Sequence, residues 1–382
     1  MERQPAADPG PVDRGDMPRA SAASRVRPLV ERDLPHIVSL YEQVFAGRAG
    51  RAPGSTGDHL EQILCKSPWR DPTLPSLVCE DGAGRIVGCL GVMPRRMRIG
   101  GRSIRAAISH SFMVEPGSRA SLAALALARA FLAGGQDLSV AEGGGPSRRI
   151  LESLGGSTSL LYSLRWTRPL RPGRYLLSYL RRRGLPAALS AAVAPLCAAA
   201  DMLAPRIAGA SMRTTRSRLT GQDLAPGDLL ACLSGTAADR ALRPRYDGAF
   251  LDWFLDLLAA RRGRGRFEKV AVRDGSGALV GWYLFYLNPG GISEVVQVGA
   301  MRGFMGDVVD HLFERAYRGG AVAVSGQMDP AAFQALAARR CVFHHDGISW
   351  FLVHSRDPEV LEAIHRGDAF LTRLEGEWCI GP

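Results

Sequence analysis

Apolar positions recur along this chain with two periods. Leu34, Ile37, Val38, Tyr41 and Val44-Phe45 are spaced by three and four, which predicts an amphipathic helix over 34–45 with Asp33 placed to cap it. Short apolar runs bounded by glycine and proline predict strands. In chain order the pattern gives a strand at 26–30, that helix, a short helix at 58–65, and a hairpin of 76–80 and 85–93. There follow a strand at 104–114, an alanine- and leucine-rich helix at 121–133, a strand at 138–141, a helix at 147–154 and a closing strand at 160–166.

Part of this pattern comes twice. Leu77-Val-Cys-Glu-Asp-Gly-Ala-Gly-Arg-Ile-Val-Gly88 is matched by Val270-Ala-Val-Arg-Asp-Gly-Ser-Gly-Ala-Leu-Val-Gly281. Each reads as strand, tight turn and strand, because Asp-Gly supplies the positive φ angles of a hairpin. Leu138-Ser-Val-Ala before Pro146 is matched by Val322-Ala-Val-Ser before Pro330, each a strand leading to a proline-opened helix. Two echoes in one order predict a duplicated unit. The second copy adds a helix at 250–260, the hairpin at 269–286, a strand at 295–299, a helix at 305–317, a strand at 322–325, a helix at 330–338, a strand at 349–354 and a helix at 359–365. Between the copies, 171–218 is rich in Ala, Arg and Leu without strand character and reads as a helical connector. Residues 1–24 carry no apolar run and read as a disordered tail.

Composition narrows the function classes. The 382 residues are 46% hydrophobic and 22% charged, which excludes collagen-like and wholly disordered chains. The net charge is +11, yet only Lys66 and Lys269 are lysines, so 48 − 2 = 46 basic residues are arginine. Such a skew is weak grounds for a nucleic-acid partner. The clusters Arg261-Arg-Gly-Arg-Gly-Arg266 and Arg181-Arg-Arg183 have no interleaved aromatics, and no such partner is expected. Seven irregularly spaced cysteines fit free thiols in a cytoplasmic protein. The longest uncharged stretch, 184–200, holds two prolines in 17 residues. A membrane-spanning helix needs about 20 apolar residues. Tyr175, Leu176, Leu177, Tyr179 and Leu180 beside the triple arginine could still let 174–200 rest on an anionic membrane surface.

The element order, twice over, resembles the GCN5-related N-acetyltransferase (GNAT) fold. Val26-Arg27-Pro28, with Asp33-Leu34 opening a helix, is how many such domains begin. The strand 104–114, the turn Glu115-Pro116-Gly117-Ser118-Arg119 and the helix after it look like the family's acetyl-CoA pyrophosphate site. The ending Phe370-Leu-Thr-Arg-Leu-Glu-Gly-Glu-Trp378 resembles tandem members, some of which sit among polysaccharide-assembly genes. The likeness covers 25–168 and, more loosely, 219–355. It implies an α/β class, α+β with mixed sheets, as two tandem acetyltransferase-like units (25–170 and 219–382) joined by the connector. It implies an acyltransferase using acetyl-CoA or another acyl-CoA as co-substrate, without metal, on an amine or hydroxyl of a small-molecule or saccharide acceptor. Met113, Val114, Arg119, Ala120, Ser121 and Leu122 would bind the coenzyme. Where the family has Arg/Gln-x-x-Gly-x-Gly/Ala, this chain has Arg119-Ala-Ser-Leu122-Ala-Ala124. Arg302-Gly-Phe-Met305-Gly-Asp307 departs further, so the first unit is expected to hold coenzyme and the second to shape the acceptor site.

Direct acyl transfer needs a base for the acceptor, a donor to polarise the carbonyl and a way for the thiolate to leave. In this fold the gap between the fourth and fifth strands holds the reacting carbonyl. His110 on the fourth strand and Glu142 at the end of the fifth, before Gly143-Gly144-Gly145, are the candidate bases. Glu377 is the third catalytic candidate, because a docked tail would bring carboxylates to an acceptor cleft. Gly376 predicts a turn there. The nearest tyrosine for an acid role, Tyr162, falls on the closing strand. Gly82-Ala-Gly84-Arg-Ile-Val-Gly88 opens no helix, so it is not a dinucleotide fingerprint, and the adjacent His344-His345 lack a metal-ligand pattern. Two other classes compete: a non-catalytic scaffolding protein of surface-polysaccharide assembly with decayed coenzyme sites, and a Fem-like aminoacyltransferase. The second pairs two such units but uses aminoacyl-tRNA, and no tRNA-binding helical arm is recognisable.

Overall fold

The computed structural model describes residues 24–45, 55–117, 120–207, 217–236 and 239–381. The predicted tail at 1–24 lies almost wholly outside them, as do 208–216 of the connector. Two mixed sheets carry the fold. The first runs β1 (Arg25–Pro28), β2 (Leu77–Glu80), β3 (Ile86–Ile99), β4 (Arg102–Val114), β5 (Leu138–Gly143), β15 (Trp350–His354), β6 (Ser157–Thr158), with β9 (Leu242–Pro244) beside β3. The second runs β8 (Thr220–Asp223), β10 (Arg266–Arg273), β11 (Leu279–Leu287), β12 (Ile292–Ala300), β13 (Ala323–Gln327), β7 (Arg165–Pro169), β14 (Val342–His344).

Strand for strand, these orders are the same. β4–β5 and β12–β13 are the parallel pairs, and the next neighbour of each is antiparallel. The two copies of the sequence pattern thus become two copies of one sheet. One element differs from the expectation. The segment 160–166 is not a closing strand: Leu160–Ser163 is a short helix (α5), and β7 after it joins the second sheet. In return β15, from the second copy, closes the first. Each unit borrows its partner's last strand.

The hairpins form as their sequence predicts, by the same chemistry in both copies. Asp81 Oδ1 accepts from the N–H groups of Ala83 and Arg85, while Gly84 takes φ +79°. Asp274 Oδ1 accepts from Ser276 and Ala278, while Gly277 takes φ +85°. Asp33 is a correction. It sits at the cap position of α1 (Leu34–Val44), but its carboxylate binds Arg27 at 2.6 Å and the Val30 N–H at 3.0 Å.

The other helices are α2 (Ser55–Cys65), α3 (Ala120–Leu132), α4 (Gly145–Ser153), α6 (Pro172–Arg182), α7 (Ala187–Ile207), α8 (Pro226–Thr236), α9 (Gly248–Ala259), α10 (Met305–Arg318), α11 (Phe333–Ala338) and α12 (Pro358–His365). α3 and α4 cover the outer face of the first sheet, and α10 and α11 that of the second. The largest core lies between the sheets. It joins Met93, Ile108 and Val140 to Trp282, Leu284 and Val296, with α1, α2 and α9 around them. The C-terminal tail is buried in this shared core through Leu371, Leu374, Cys379 and Ile380.

Candidate active site

β4 and β5 pair only over Ala106–Ile108 and Leu138–Val140; beyond, they splay apart. At the start of the splay β4 carries a bulge. Cys89 faces Met113 and Gly91 faces His110, so two residues of β4 stand opposite one of β3. Ser111 in this bulge takes φ +49°, a left-handed conformation costly for a side chain. The splay is entered by the tail, as a 3-10 turn at Glu377–Cys379. The Ser111 N–H donates to Glu377 Oε1 at 2.9 Å. Glu142, at the end of β5, accepts from the main-chain N–H groups of Glu377 and Trp378.

Gly376 explains how the two glutamates approach. Its φ of −118° and ψ of 169° are ordinary extended backbone, so the predicted turn is not why glycine is there. A Cβ on Gly376 would collide with Glu142 Oε1. Glycine is required for space.

The preceding turn, Arg373–Glu375, reaches the second sheet. Arg373 is buried; it donates to the Val295 carbonyl at 3.0 Å, pairs with Glu294 at 2.6 Å and stacks over Trp378 at 4.0 Å. Arg165 joins from β7, 2.9 Å from Glu294 and 3.5 Å from Asp346. Between the two sheets this leaves a small cavity of about 60 Å³ bordered by Glu142, Arg165, Gln327, Asp346, Arg373 and Trp378.

Burial pushes the carboxyls up. Glu142 rises because it is desolvated, against the pull of Arg373 and Arg165. Glu377 rises by desolvation and by the neighbouring Glu142 charge. Glu375, bonded to Tyr246 and to the N–H and hydroxyl of Thr372, is pushed up to about 8 by burial. His110 moves the other way. Its ring packs against Gly91, where a Cβ would collide with it, and burial pulls its pKa down to about 3.

These directions set a pH dependence of stability. A carboxyl raised in the folded state binds more protons there than when unfolded, so its contribution is full below about 4.5 and lost as pH rises through about 8. A depressed histidine works oppositely, and only below its unfolded value of about 6.5. Above about pH 7 the histidine contribution fades and the raised carboxyls dominate, joined toward pH 8.5 by buried cysteines whose raised thiols act in the same direction. Unfolding free energy from urea titrations should therefore fall over that window, and Glu375→Gln should flatten the fall. A flat wild-type profile would contradict this account.

The structure brings Glu142 and Glu377 together. It places His110 away from the cavity, with Nδ1 3.2 Å from Ser111 Oγ and Nε2 without a partner among the described residues. Met113 is buried and pairs with Cys89; Val114 pairs with Gly88 at the outer end of the splay. Arg119 lies outside the described residues. Ala120 and Ser121 open α3, their side chains also outside, and Leu122 beside them is 64% exposed. Glu115 pairs with Arg85 at 2.9 Å, and Tyr162 spends its hydroxyl on the Ala369 carbonyl at 2.6 Å. In the second unit the equivalent first turn, at the start of α10, is covered: Gly306 packs beneath the Arg339 guanidinium, which Asp310 holds at 2.6 Å. Ser111, Arg165, Asp346 and Arg373 were not among the predicted site residues. Arg373 and Ser111 stand within segments that the sequence pattern singled out, but their meeting depends on the strand exchange and the bulge.

No family model and no curated relative matches the sequence. Solved structures do, at low identity. A probable N-acyltransferase from Enterococcus faecalis V583 aligns with TM-score 0.57 and 10% identity over 87% of this chain and 73% of its own. A GCN5-related N-acetyltransferase from Anabaena variabilis ATCC 29413 gives 0.56 and 12% over 89% and 75%. Saccharomyces cerevisiae N-myristoyltransferase, solved with bound myristoyl-CoA and inhibitors, gives 0.52 and 12% over 88% and 81%. With its mixed sheets, splayed parallel pair and following helix, the chain has the GCN5-related N-acetyltransferase fold, laid out as two tandem units.

Proposed function

We propose that the protein is an acyl-CoA-dependent acyltransferase, with coenzyme in the splay of the first sheet and an amine or hydroxyl acceptor in the cavity beside Glu142. The observation that carries this reading is the Glu142 carboxyl. It is aimed by two main-chain N–H groups, raised by burial and set on the wall of the cavity. A base of this kind can take a proton from an acceptor near neutral pH. Arg165, Gln327, Asp346 and Ser349 give the cavity a polar lining suited to a small polar or saccharide acceptor.

The first sheet fits an acyl-CoA better than the second. β4 and β5 are unpaired beyond Ile108 and Val140, and the first turn of α3 offers main-chain N–H groups beside an exposed Leu122. When bound, the thioester supplies an activated acyl group. The Ser111 N–H, turned into the splay by the bulge, is the donor placed to polarise a carbonyl there, and Glu377 keeps it satisfied until then. The seven cysteines are all free thiols, which supports a cytoplasmic location.

Calorimetric titration with acetyl-CoA and longer acyl-CoAs tests the reading. Leu122→Glu puts a negative charge where the pyrophosphate would sit, on an exposed position that leaves folding intact. We expect at least about tenfold weaker acyl-CoA binding from opposing charge at a helix N-terminus. No binding by the wild type to any acyl-CoA would favour the scaffolding alternative.

A further inference from the structure

Helices α6 and α7 form a hairpin. At its base the Gly173 and Arg174 N–H groups donate to Asp201 at 2.6 and 3.1 Å, and Gly184 turns the chain at φ +95°. Leu177 and Ser190 are buried. Much of the remaining apolar surface is open. Leu176, Tyr179 and Leu180 of α6 and Leu189, Leu196 and Met202 of α7 are 39–70% exposed. With Leu203 they are seven of the thirteen large apolar side chains exposed among the described residues, so the apolar surface is concentrated on this one element. Leu176, Tyr179, Leu180 and Arg183 follow i, i+3, i+4, i+7 and share one face. Leu189, Leu196 and Leu203 repeat every seventh residue, and 187–200 holds no charged residue at all. A helix solvated on that side would carry charges there.

The charge beside this surface has one sign. Over 172–203 the arginines are 174, 181, 182 and 183 and the only carboxylate is Asp201, a net of 4 − 1 = +3. Asp201 is already committed to the start of α6. Arg183 stacks on Tyr179 at 5.2 Å, holding a guanidinium at the edge of the apolar face. No helix among the described residues is long and apolar enough to cross a membrane.

We propose that the α6–α7 hairpin is a peripheral docking surface for an anionic lipid bilayer. Its leucines and Tyr179 enter the boundary between headgroups and acyl chains, while Arg182 and Arg183 engage lipid phosphates. Charge complementarity selects this occupant. A two-fold pair of this chain would lay the same net-positive patch on itself with no counter-charge to offset it.

The test is co-sedimentation of the full chain with vesicles of phosphatidylcholine alone and with 30% phosphatidylglycerol. We expect binding to the anionic vesicles that weakens with salt. Arg182→Glu with Arg183→Glu should reduce it at least about tenfold, since two charges facing the lipid phosphates change sign. Leu189→Glu with Leu196→Glu should also abolish it. Both pairs are exposed, so thermal melting and activity on a soluble acceptor should hold. Absence of binding to anionic vesicles, or binding that neither pair alters, overturns the proposal. Concentration-dependent dimerisation removed by the leucine pair, without vesicle binding, would assign the face to a second copy instead.

Discussion

Glu142→Gln should lower acyl transfer by about 10²–10⁴-fold, the range expected for loss of a positioned base. The fold should survive, because an amide oxygen can accept the same two N–H bonds from Glu377 and Trp378 that the carboxylate accepts. What the amide cannot do is take up a proton. Only ionised Glu142 can act as base, and burial raises its pKa to about 7, so wild-type kcat/KM should climb through that pH and level off above it. The residual activity of the variant should lack this rise. Glu377→Gln should have a smaller effect on turnover, since that side chain binds the Ser111 N–H and does not border the cavity. Stopped assays of both variants over pH 5.5–9 read these outcomes. Unchanged turnover in Glu142→Gln would remove the base from this position.

The second large effect is on stability. Arg373→Ala should cost about 3–5 kcal/mol, the range for breaking a buried ion pair from one side. Three contacts end together: the 2.6 Å pair with Glu294, the 3.0 Å bond to the Val295 carbonyl and the 4.0 Å stack over Trp378. Glu294 keeps only Arg165 among the partners described above, while the Val295 carbonyl is left facing the space the guanidinium filled. Trp378 belongs to the turn that enters the splay, so loosening it should also disturb the aim of Glu142. Urea unfolding gives the stability change, and a loss below about 1 kcal/mol would show that the tail is held by its apolar residues alone.

Much of the fold was legible because it rests on local chemistry. The Asp-Gly-x-Gly hairpins, the proline-opened α4 and the amphipathic α1 and α10 each follow from short spacings. β9, α8 and β14 escaped because their runs are brief and take their definition from partners far away in the chain. The strand exchange left no local mark at all: Arg165–Pro169 reads equally well as a neighbour of β5 or of β13. The site divides the same way. Glu142 was marked by its place at a strand end before three glycines, and Glu377 by the apolar tail around it. Ser111 was not, since a bulge depends on the register of β3 against β4. His110 drew notice by its residue type, which says nothing of the burial that keeps it neutral.

The exchanged strands also govern how this protein comes into being. As the chain leaves the ribosome, the first sheet can assemble β1 to β5, but its next strand, Trp350–His354, is more than two hundred residues (350 − 143 = 207) from emerging. Until then the open side of β5 is an unpaired edge above a half-built core, a surface prone to wrong pairing. β7 meanwhile waits for β13. Neither sheet can be completed from its own copy of the sequence: the second closes when β13 and β14 meet the waiting β7, the first only when β15 follows, so both units mature late and in that order. A nascent chain arrested before β13, at residue 323, leaves both sheets incomplete and should bind chaperones and yield to protease along its whole length, whereas the released chain should resist as a single block.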